Sequence, residues 1–291
     1  GDGYSDVVVG APSFDAGQLD EGAAFVFFGG SLGIQDGSPA TAAGTIEANQ
    51  SGANLGWSIS AAGDVNGDGY ADVIVGAHDF DAGQNNEGAA FVFIGGPSGI
   101  ADGSPASAPS QLEANQGSAD FGRSVSGAGD VNGDGYSDVV VGAPDFDSGE
   151  TNEGAAFVFL GSASGIADGN PTTAAARLES NQANASLGWS VAGVADVDAN
   201  GYADIAVGAH RYDSGEVDEG AVFVFAGSAT GIAHGSPTTA MARLQGNQTG
   251  AAFGESVSGP GDVDGDGDAE VLVGAGGYDA GQVDEGAAFL F

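Results

Sequence analysis

The sequence lacks cysteine and lysine, and its four arginines stand against 41 acidic residues, which gives a formal net charge of −37 at pH 7. Without cysteine, the chain forms neither disulfides nor thiolate metal sites. So negative a field makes nucleic acids and anionic membrane surfaces poor partners. Calcium ions, basic proteins and neutral polysaccharides remain as partners. Solubility or adaptation to high salt is the plainer explanation of the charge.

Long hydrophobic runs are also missing. No apolar stretch reaches the ~18 residues that span a bilayer, so we expect no membrane insertion. Acidic chains of low hydrophobicity are disordered, but 42% of these residues are hydrophobic and 16 are phenylalanine, so we expect a folded core. No initiating methionine or signal peptide is visible, and residue 1 lies inside a repeat. We therefore expect a processed product or a fragment.

The chain is built from a repeat of 66 residues. The segment GDVNGDGYAD at 63–72 returns in closely similar form at 129–138, 195–204 and 261–270, and GDGYSD at 1–6 matches its tail. No insertion interrupts about 4.4 units, which predicts equivalent positions in a ring or an array. We treat 1–291 as a single segment with partial repeats at 1–52 and 251–291 and complete repeats at 53–118, 119–184 and 185–250.

One repeat, residues 53–118, predicts four strands, which we name A to D. Strand A is the alternation of Trp57, Ile59 and Ala61 with serines, which is typical of a half-buried strand. The apolar runs 72–75 and 89–94 predict buried strands B and C, and 111–113 predicts a short strand D. Four short strands with glycine-rich turns favour an all-β fold, a β-propeller of four-stranded antiparallel blades. A parallel β-helix is the alternative, although its repeats are usually shorter.

The loop between strands A and B carries oxygen-bearing side chains at alternate positions. Side chains at positions one, three, five and nine and the backbone carbonyl at position seven can converge on one Ca²⁺, which takes 6–8 oxygen ligands. Glycine permits the sharp turn, and strands rather than EF-hand helices flank the loop. The predicted ligand sets are Asp64, Asn66, Asp68, Tyr70 and Asp72; Asp130, Asn132, Asp134, Tyr136 and Asp138; Asp196, Asp198, Asn200, Tyr202 and Asp204; Asp262, Asp264, Asp266, Asp268 and Glu270; and a partial set of Asp2, Tyr4 and Asp6.

These loops predict about four complete calcium sites and a fifth, partial one at the N-terminus. The longer side chain of Glu270 departs from the aspartate that the other loops have at position nine. The alternative is that the loops are acidic turns held by side-chain hydrogen bonds, with no ion. If ions bind, we expect them to neutralise the clustered carboxylates and to stabilise the fold.

A second set of acids recurs in the loops between strands B and C. In an antiparallel meander, the A–B and C–D loops share one face, and the B–C and D–A loops share the other. The B–C acids either satisfy backbone groups at the turn or form further cation sites. Such similar loops suit a repetitive partner, a polysaccharide or another copy of the chain. The recurring acids are Asp15, Asp81, Asp147, Asp213 and Asp279, and Glu21, Glu87, Glu153, Glu219 and Glu285.

Two further elements flank each acidic loop. Phe-Gly or Leu-Gly precedes it, and Gly-Ala-Pro or a relaxed form follows it: examples are Phe121-Gly122 and Gly142-Ala143-Pro144. This pattern resembles the FG-GAP repeats of the integrin α-subunit β-propeller and its prokaryotic relatives. The resemblance implies calcium in the A–B loop and a ligand-binding face that carries the B–C loops. The integrin propeller has seven blades, more than this chain supplies.

Catalytic patterns are missing. The chain has three histidines and no lysine or cysteine, and neither a Ser/His/Asp order nor a phosphate loop emerges, so we expect no enzyme. We predict an extracellular or cell-surface adhesion or recognition module that binds a protein, a polysaccharide or copies of itself. The alternatives are a structural subunit of an extracellular filament or matrix, and an accessory module of a secreted polysaccharide-acting enzyme.

Overall fold

The computed structural model describes residues 3–291, which form a propeller of antiparallel blades. The sheets contain, in turn, β1 (Val7–Ala11), β2 (Ala23–Phe27) and β3 (Gly44–Glu47); β4 (Ser58–Gly63), β5 (Asp72–Ala77), β6 (Ala89–Phe93) and β7 (Ser110–Glu113); β8 (Ser124–Gly129), β9 (Asp138–Ala143), β10 (Ala155–Phe159) and β11 (Ala176–Glu179); β12 (Ser190–Ala195), β13 (Asp204–Ala209), β14 (Ala221–Phe225) and β15 (Ala242–Gln245); and β16 (Phe253–Gly261), β17 (Glu270–Ala275) and β18 (Ala287–Leu290).

The three inner sheets have the four strands predicted for one repeat, in the order A to D. The first sheet has strands B to D, and the last has strands A to C. Short 3₁₀ turns at Pro39–Thr41 and Pro105–Ser107 precede strand D of the first two sheets. The described part of the chain contains no helix that could span a bilayer.

Strands B and C form the core because their apolar runs are covered on both faces. Every residue of β5 and β6 is buried, as the unbroken runs of valine, isoleucine and phenylalanine predict. Neighbouring sheets pack face to face, so that Ile74 of β5 and Phe157 of β10 belong to the same hydrophobic cluster. Strand D of the first three sheets alternates buried and half-buried positions, as expected for an edge strand with one covered face.

Strand A differs from its prediction. Trp57 lies before β4 and is 45% exposed, Ala61 is also exposed, and Ala62 is buried instead. A β-bulge between Ala61 and Gly63 shifts the register against β5, and the buried Ala62 is its extra residue. Strands A of neighbouring sheets approach closely: a Cβ added to Gly127 would lie 2.5 Å from the carbonyl oxygen of Ala61.

The sheets of the described residues follow one another around this line of A strands without closing into a ring. The Phe-Gly or Leu-Gly element begins each new blade by docking on the preceding one. The amide of Phe121 donates to the carbonyl of Glu87 at 3.1 Å, and its ring is fully buried. Leu55, Leu187 and Phe253 make the same backbone contact with Glu21, Glu153 and Glu219.

Candidate metal centres in the A–B loops

Each A–B loop starts at the bulge that ends strand A and returns into the buried start of strand B. In the second repeat the loop joins β4 to β5, and Gly67 and Gly69 adopt φ values of 72° and 88°. This left-handed backbone, which glycine permits at no steric cost, turns the alternate side chains into the loop. The fourth loop has Ala199 at the first of these positions, with φ of 56°.

The aspartate at position one organises the loop. Asp64 accepts hydrogen bonds from the amides of Asp68 at 3.1 Å and Gly69 at 2.8 Å. The carboxylates of Asp130, Asp196 and Asp262 accept the corresponding glycine amides at 2.8, 2.8 and 3.1 Å. Such bonds form in an acidic turn with or without an ion, so they fit both interpretations of the loop.

The acid at position nine is the buried member of the three inner sets. Asp72 is fully buried and accepts the amide of Val65 at 2.8 Å within the loop and that of Gly95 at 2.7 Å from the C–D loop. Asp138 and Asp204 make the same pair of contacts. These acids therefore join the A–B and C–D loops, which confirms that the two loops share a face.

Burial also perturbs the protonation of these acids. It raises the pKa of Asp72 and Asp204 above the ordinary value, and that of Asp138 to about 6. The backbone amide hydrogen bonds oppose the shift, and the other carboxylates of the loop add to it. A cation between the carboxylates would act in the opposite direction, because an opposite charge favours the ionised form.

The carboxylates converge in two of the loops. Oxygen atoms of Asp196, Asp198 and Asp204 lie within 4.8 Å of one another, as do those of Asp262, Asp264, Asp266 and Glu270. In the second and third repeats an asparagine stands at position three, and its side chain donates to the aspartate at position five: Asn66 to Asp68 at 3.0 Å and Asn132 to Asp134 at 2.9 Å.

Two of the predicted sets depart from this pattern. In the first repeat, Asp2 lies outside the described residues, but Asp6 accepts the amide of Gly29 at 3.0 Å, the contact that Asp72 makes with Gly95. In the fifth repeat, Glu270 reaches the amide of Val263 at 2.5 Å with its longer side chain. It is half-buried, whereas the aspartates at position nine of the inner loops are buried.

The donor set fits a hard divalent cation. Every predicted side-chain ligand offers oxygen, and the ion pairs of the described residues involve His78, Arg123 and Arg177, all outside the loops. The loop carboxylates therefore have amide donors but no protein cation to balance their charge. Calcium tolerates the irregular geometry and high coordination number of such a loop better than magnesium, which demands a compact octahedron.

Comparison of the sequence with known proteins identifies the repeats of this architecture. The model of the FG-GAP repeat matches residues 55–93, 121–159, 187–225 and 253–291, more than half of the chain. The chain belongs to the FG-GAP repeat family. Each match begins at the Phe-Gly or Leu-Gly dipeptide and ends in strand C, so it contains the A–B loop at its centre.

The curated relatives of this FG-GAP chain include integrin α subunits. Integrin alpha-5 of Xenopus laevis is 28% identical over 225 residues, which cover 75% of this chain and 21% of the relative. Integrin alpha-PS3 of Drosophila melanogaster is 36% identical over 164 residues, covering 55% and 14%. The chain thus spans about a fifth or less of the length of these relatives. Among solved structures, the Dos1 propeller aligns with a TM-score of 0.46 at 10% identity, covering 93% of this chain and 53% of that one.

The FG-GAP loops also bind the next blade, which the sequence did not reveal. The carbonyl of Asp64 accepts the amide of Ser137 at 3.0 Å. The ring of Tyr136 lies over Gly67, where an added Cβ would be 2.8 Å from the ring. Asp130 and Tyr202 repeat both contacts one blade further. The tyrosine at position seven, predicted to ligate an ion through its backbone carbonyl, is the residue whose side chain marks this contact.

On the opposite face, the recurring B–C acids hold the backbone. Glu153 is 1% exposed and accepts the amides of Ser148 at 2.7 Å and Asn181 at 3.0 Å, and Asp147 accepts that of Asn152 at 2.6 Å. Gln116 exchanges hydrogen bonds of 2.7 and 2.9 Å with the backbone of Asp147, which ties the D–A and B–C loops together. These are the contacts that the turn-forming interpretation predicts, and the pairing of Gln116 with Asp147 confirms that the D–A and B–C loops share a face.

Proposed function

We propose that this FG-GAP propeller segment is an extracellular, calcium-binding adhesion or recognition module, in which Ca²⁺ in the A–B loops stabilises the blades. The observation that carries the proposal is the charge of these loops. Their oxygen ligands converge in the fourth and fifth repeats, and none of the loop carboxylates has a basic partner among residues 3–291. A divalent cation would remove this repulsion and join each loop to the C–D loop and to the next blade.

The proposed role in adhesion rests on the relatives of the chain and on the surface that its repeats present. Integrin α subunits are among the relatives of the matched region. The chain has a large acidic surface, no catalytic constellation of its own and a face of closely similar B–C loops. We therefore propose binding rather than catalysis, with an extracellular protein or polysaccharide as the partner.

The test is a binding screen of the purified chain against immobilised matrix proteins and neutral polysaccharides, with calcium and with a chelator. We expect at least one ligand to be retained in calcium and released by chelation. Retention of no ligand in calcium, in a protein shown by circular dichroism to be folded, would contradict a recognition role.

A second candidate is a structural subunit that associates with its own copies. The near identity of the B–C loops favours it, because copies of one surface present a repetitive partner. Sedimentation velocity in calcium distinguishes the two. Concentration-dependent assembly into long particles would favour the filament or matrix, and a monomer at high concentration would exclude it.

A further inference from the structure

A second group of metal-ligand side chains lies on the face opposite the A–B loops, between the second and third blades. His78 and Asp79 follow the end of β5, and Asp120 precedes the Phe-Gly element of the third blade. One ligand atom from each of the three residues lies within 4.8 Å of the others. The group therefore converges across a blade boundary and involves none of the loops described above.

His78 points into this group without a hydrogen-bond partner. The residue is 7% exposed, and neither ring nitrogen makes a hydrogen bond. Its Nδ1 lies 3.4 Å from Oδ2 of Asp79, but the contact lacks hydrogen-bond geometry. Buried polar atoms are nearly always satisfied, so an imidazole with two orphaned nitrogens indicates a missing partner. The ring of Trp57 packs edge-on at 4.5 Å and restricts the imidazole.

The carboxylates around His78 are set up for coordination. Oδ2 of Asp79 accepts a hydrogen bond of 2.8 Å from the side chain of Asn54, the kind of outer contact that orients a ligating carboxylate. Arg123 lies 3.8 Å from Asp120, too far for a hydrogen bond, and stacks on the tryptophan rings instead. Two ligands about 2.1 Å from a tetrahedral ion lie about 3.4 Å apart, which is the separation of Nδ1 and Oδ2 here.

We propose that His78, Asp79 and Asp120 form a site for a divalent transition-metal ion of the zinc type, with water in the remaining position. Imidazole nitrogen with carboxylate oxygen suits zinc and its neighbours, whereas calcium takes oxygen alone. Both carboxylates are partly exposed, with side-chain exposures of 28% and 23%, so an ion and its water reach the site from solvent.

The other repeats provide internal controls. His210 occupies the position of His78 in the fourth repeat and is 8% exposed, also with an unpartnered Nδ1. However, Arg211 and Ala252 stand where the second repeat provides Asp79 and its neighbour provides Asp120. The third repeat has proline at the histidine position, Pro144. The complete set of three ligands thus occurs at one boundary among residues 3–291.

The test is isothermal titration with Zn²⁺ in millimolar Ca²⁺, which keeps the A–B loops occupied by the ion they prefer. Wild-type chain is compared with His78→Pro and with the matched control His210→Pro, since proline is what the repeats themselves use there. We expect one saturable Zn²⁺ equivalent for wild type and for His210→Pro, and its loss in His78→Pro. No saturable binding by wild type, or equal binding by all three proteins, would overturn the proposal.

A second variant distinguishes the loss of a metal ligand from misfolding. Asp120 has φ of 55°, and Ser186, its equivalent, has φ of 54°, so Asp120→Ser keeps a backbone that the chain already builds with serine. We expect this variant to lose the same Zn²⁺ equivalent while its thermal melting in calcium alone stays cooperative. Replacing Zn²⁺ by Co²⁺ should give visible absorption that both variants lose. Cobalt absorption that is unchanged in Asp120→Ser would contradict the proposed ligand set.

Discussion

Replacing the buried Asp138 by asparagine separates its two roles, as an anchor for backbone amides and as a calcium ligand. The carboxylate accepts the amide of Val131 at 2.9 Å and that of Gly161 at 2.8 Å. Asparagine keeps one acceptor oxygen, so Asp138→Asn leaves one buried donor unsatisfied. Such a donor costs about 1–3 kcal/mol, and we expect this loss of unfolding free energy in a chelator at pH 7.

In calcium the same substitution should cost more. An ion present at about 100 times its dissociation constant adds about 2.7 kcal/mol to the stability of the native state. If Asp138→Asn abolishes binding at this loop, the variant loses that contribution as well, and the total loss rises to about 4–6 kcal/mol. The calcium-dependent part of the loss is therefore about as large as the structural part.

The matched control is Glu153→Gln on the opposite face. Glu153 is also buried and also accepts backbone amides, from Ser148, Glu150 and Asn181, but it lies outside the A–B loops. Urea unfolding of both variants and wild type, each in calcium and in chelator, gives the loss of unfolding free energy of each variant in each buffer. An equal loss in both buffers for Asp138→Asn, as expected for Glu153→Gln, would refute the assignment of Asp138 as a ligand.

Two further predictions concern the blade contact and pH. Gly67→Ala should destabilise the fold more than Gly69→Ala, by about 1 kcal/mol or more beyond the left-handed backbone strain that both substitutions introduce. The reason is that an added Cβ at Gly67 lies 2.8 Å from the Tyr136 ring, whereas Gly69 has open space around it. Equal melting temperatures of the two variants would contradict the contact. Burial lowers the pKa of His210 from 6.5 to about 4, so the unfolded chain takes up the proton first and stability is lost as pH falls through that interval. In urea titrations from pH 8 to 4, the unfolding free energy of wild type relative to His210→Pro should decline below about pH 6.5, and a difference independent of pH would contradict it.

The periodicity of the sequence predicted the blades because each blade must bury the same apolar positions. Every repeat buries the same apolar runs against its neighbours, so β5, β6 and β7 fall where the runs 72–75, 89–94 and 111–113 placed them. The alternation of the loops between two faces followed from antiparallel pairing alone. Both features depend on chain-local patterns, which one sequence displays in full.

Contacts between blades were not predictable in the same way. The bulge between Ala61 and Gly63 lies where strands A of neighbouring blades approach each other, and the alternation of apolar residues in strand A does not indicate it. The stacking of Arg123 between Trp57 and Trp189 joins residues 66 positions apart in the chain, which no local pattern reveals. The B–C acids were ambiguous for a related reason, since a carboxylate that holds an amide and one that holds an ion have the same spacing.

Calcium titration calorimetry of the full chain, combined with thermal melting, decides whether the A–B loops are calcium sites that stabilise the propeller. We predict about four ions per chain, one for each complete loop, and a melting temperature that falls sharply when a chelator is added. No heat of binding and identical melting with and without the chelator would contradict it, and would leave the loops as acidic turns held by their own hydrogen bonds.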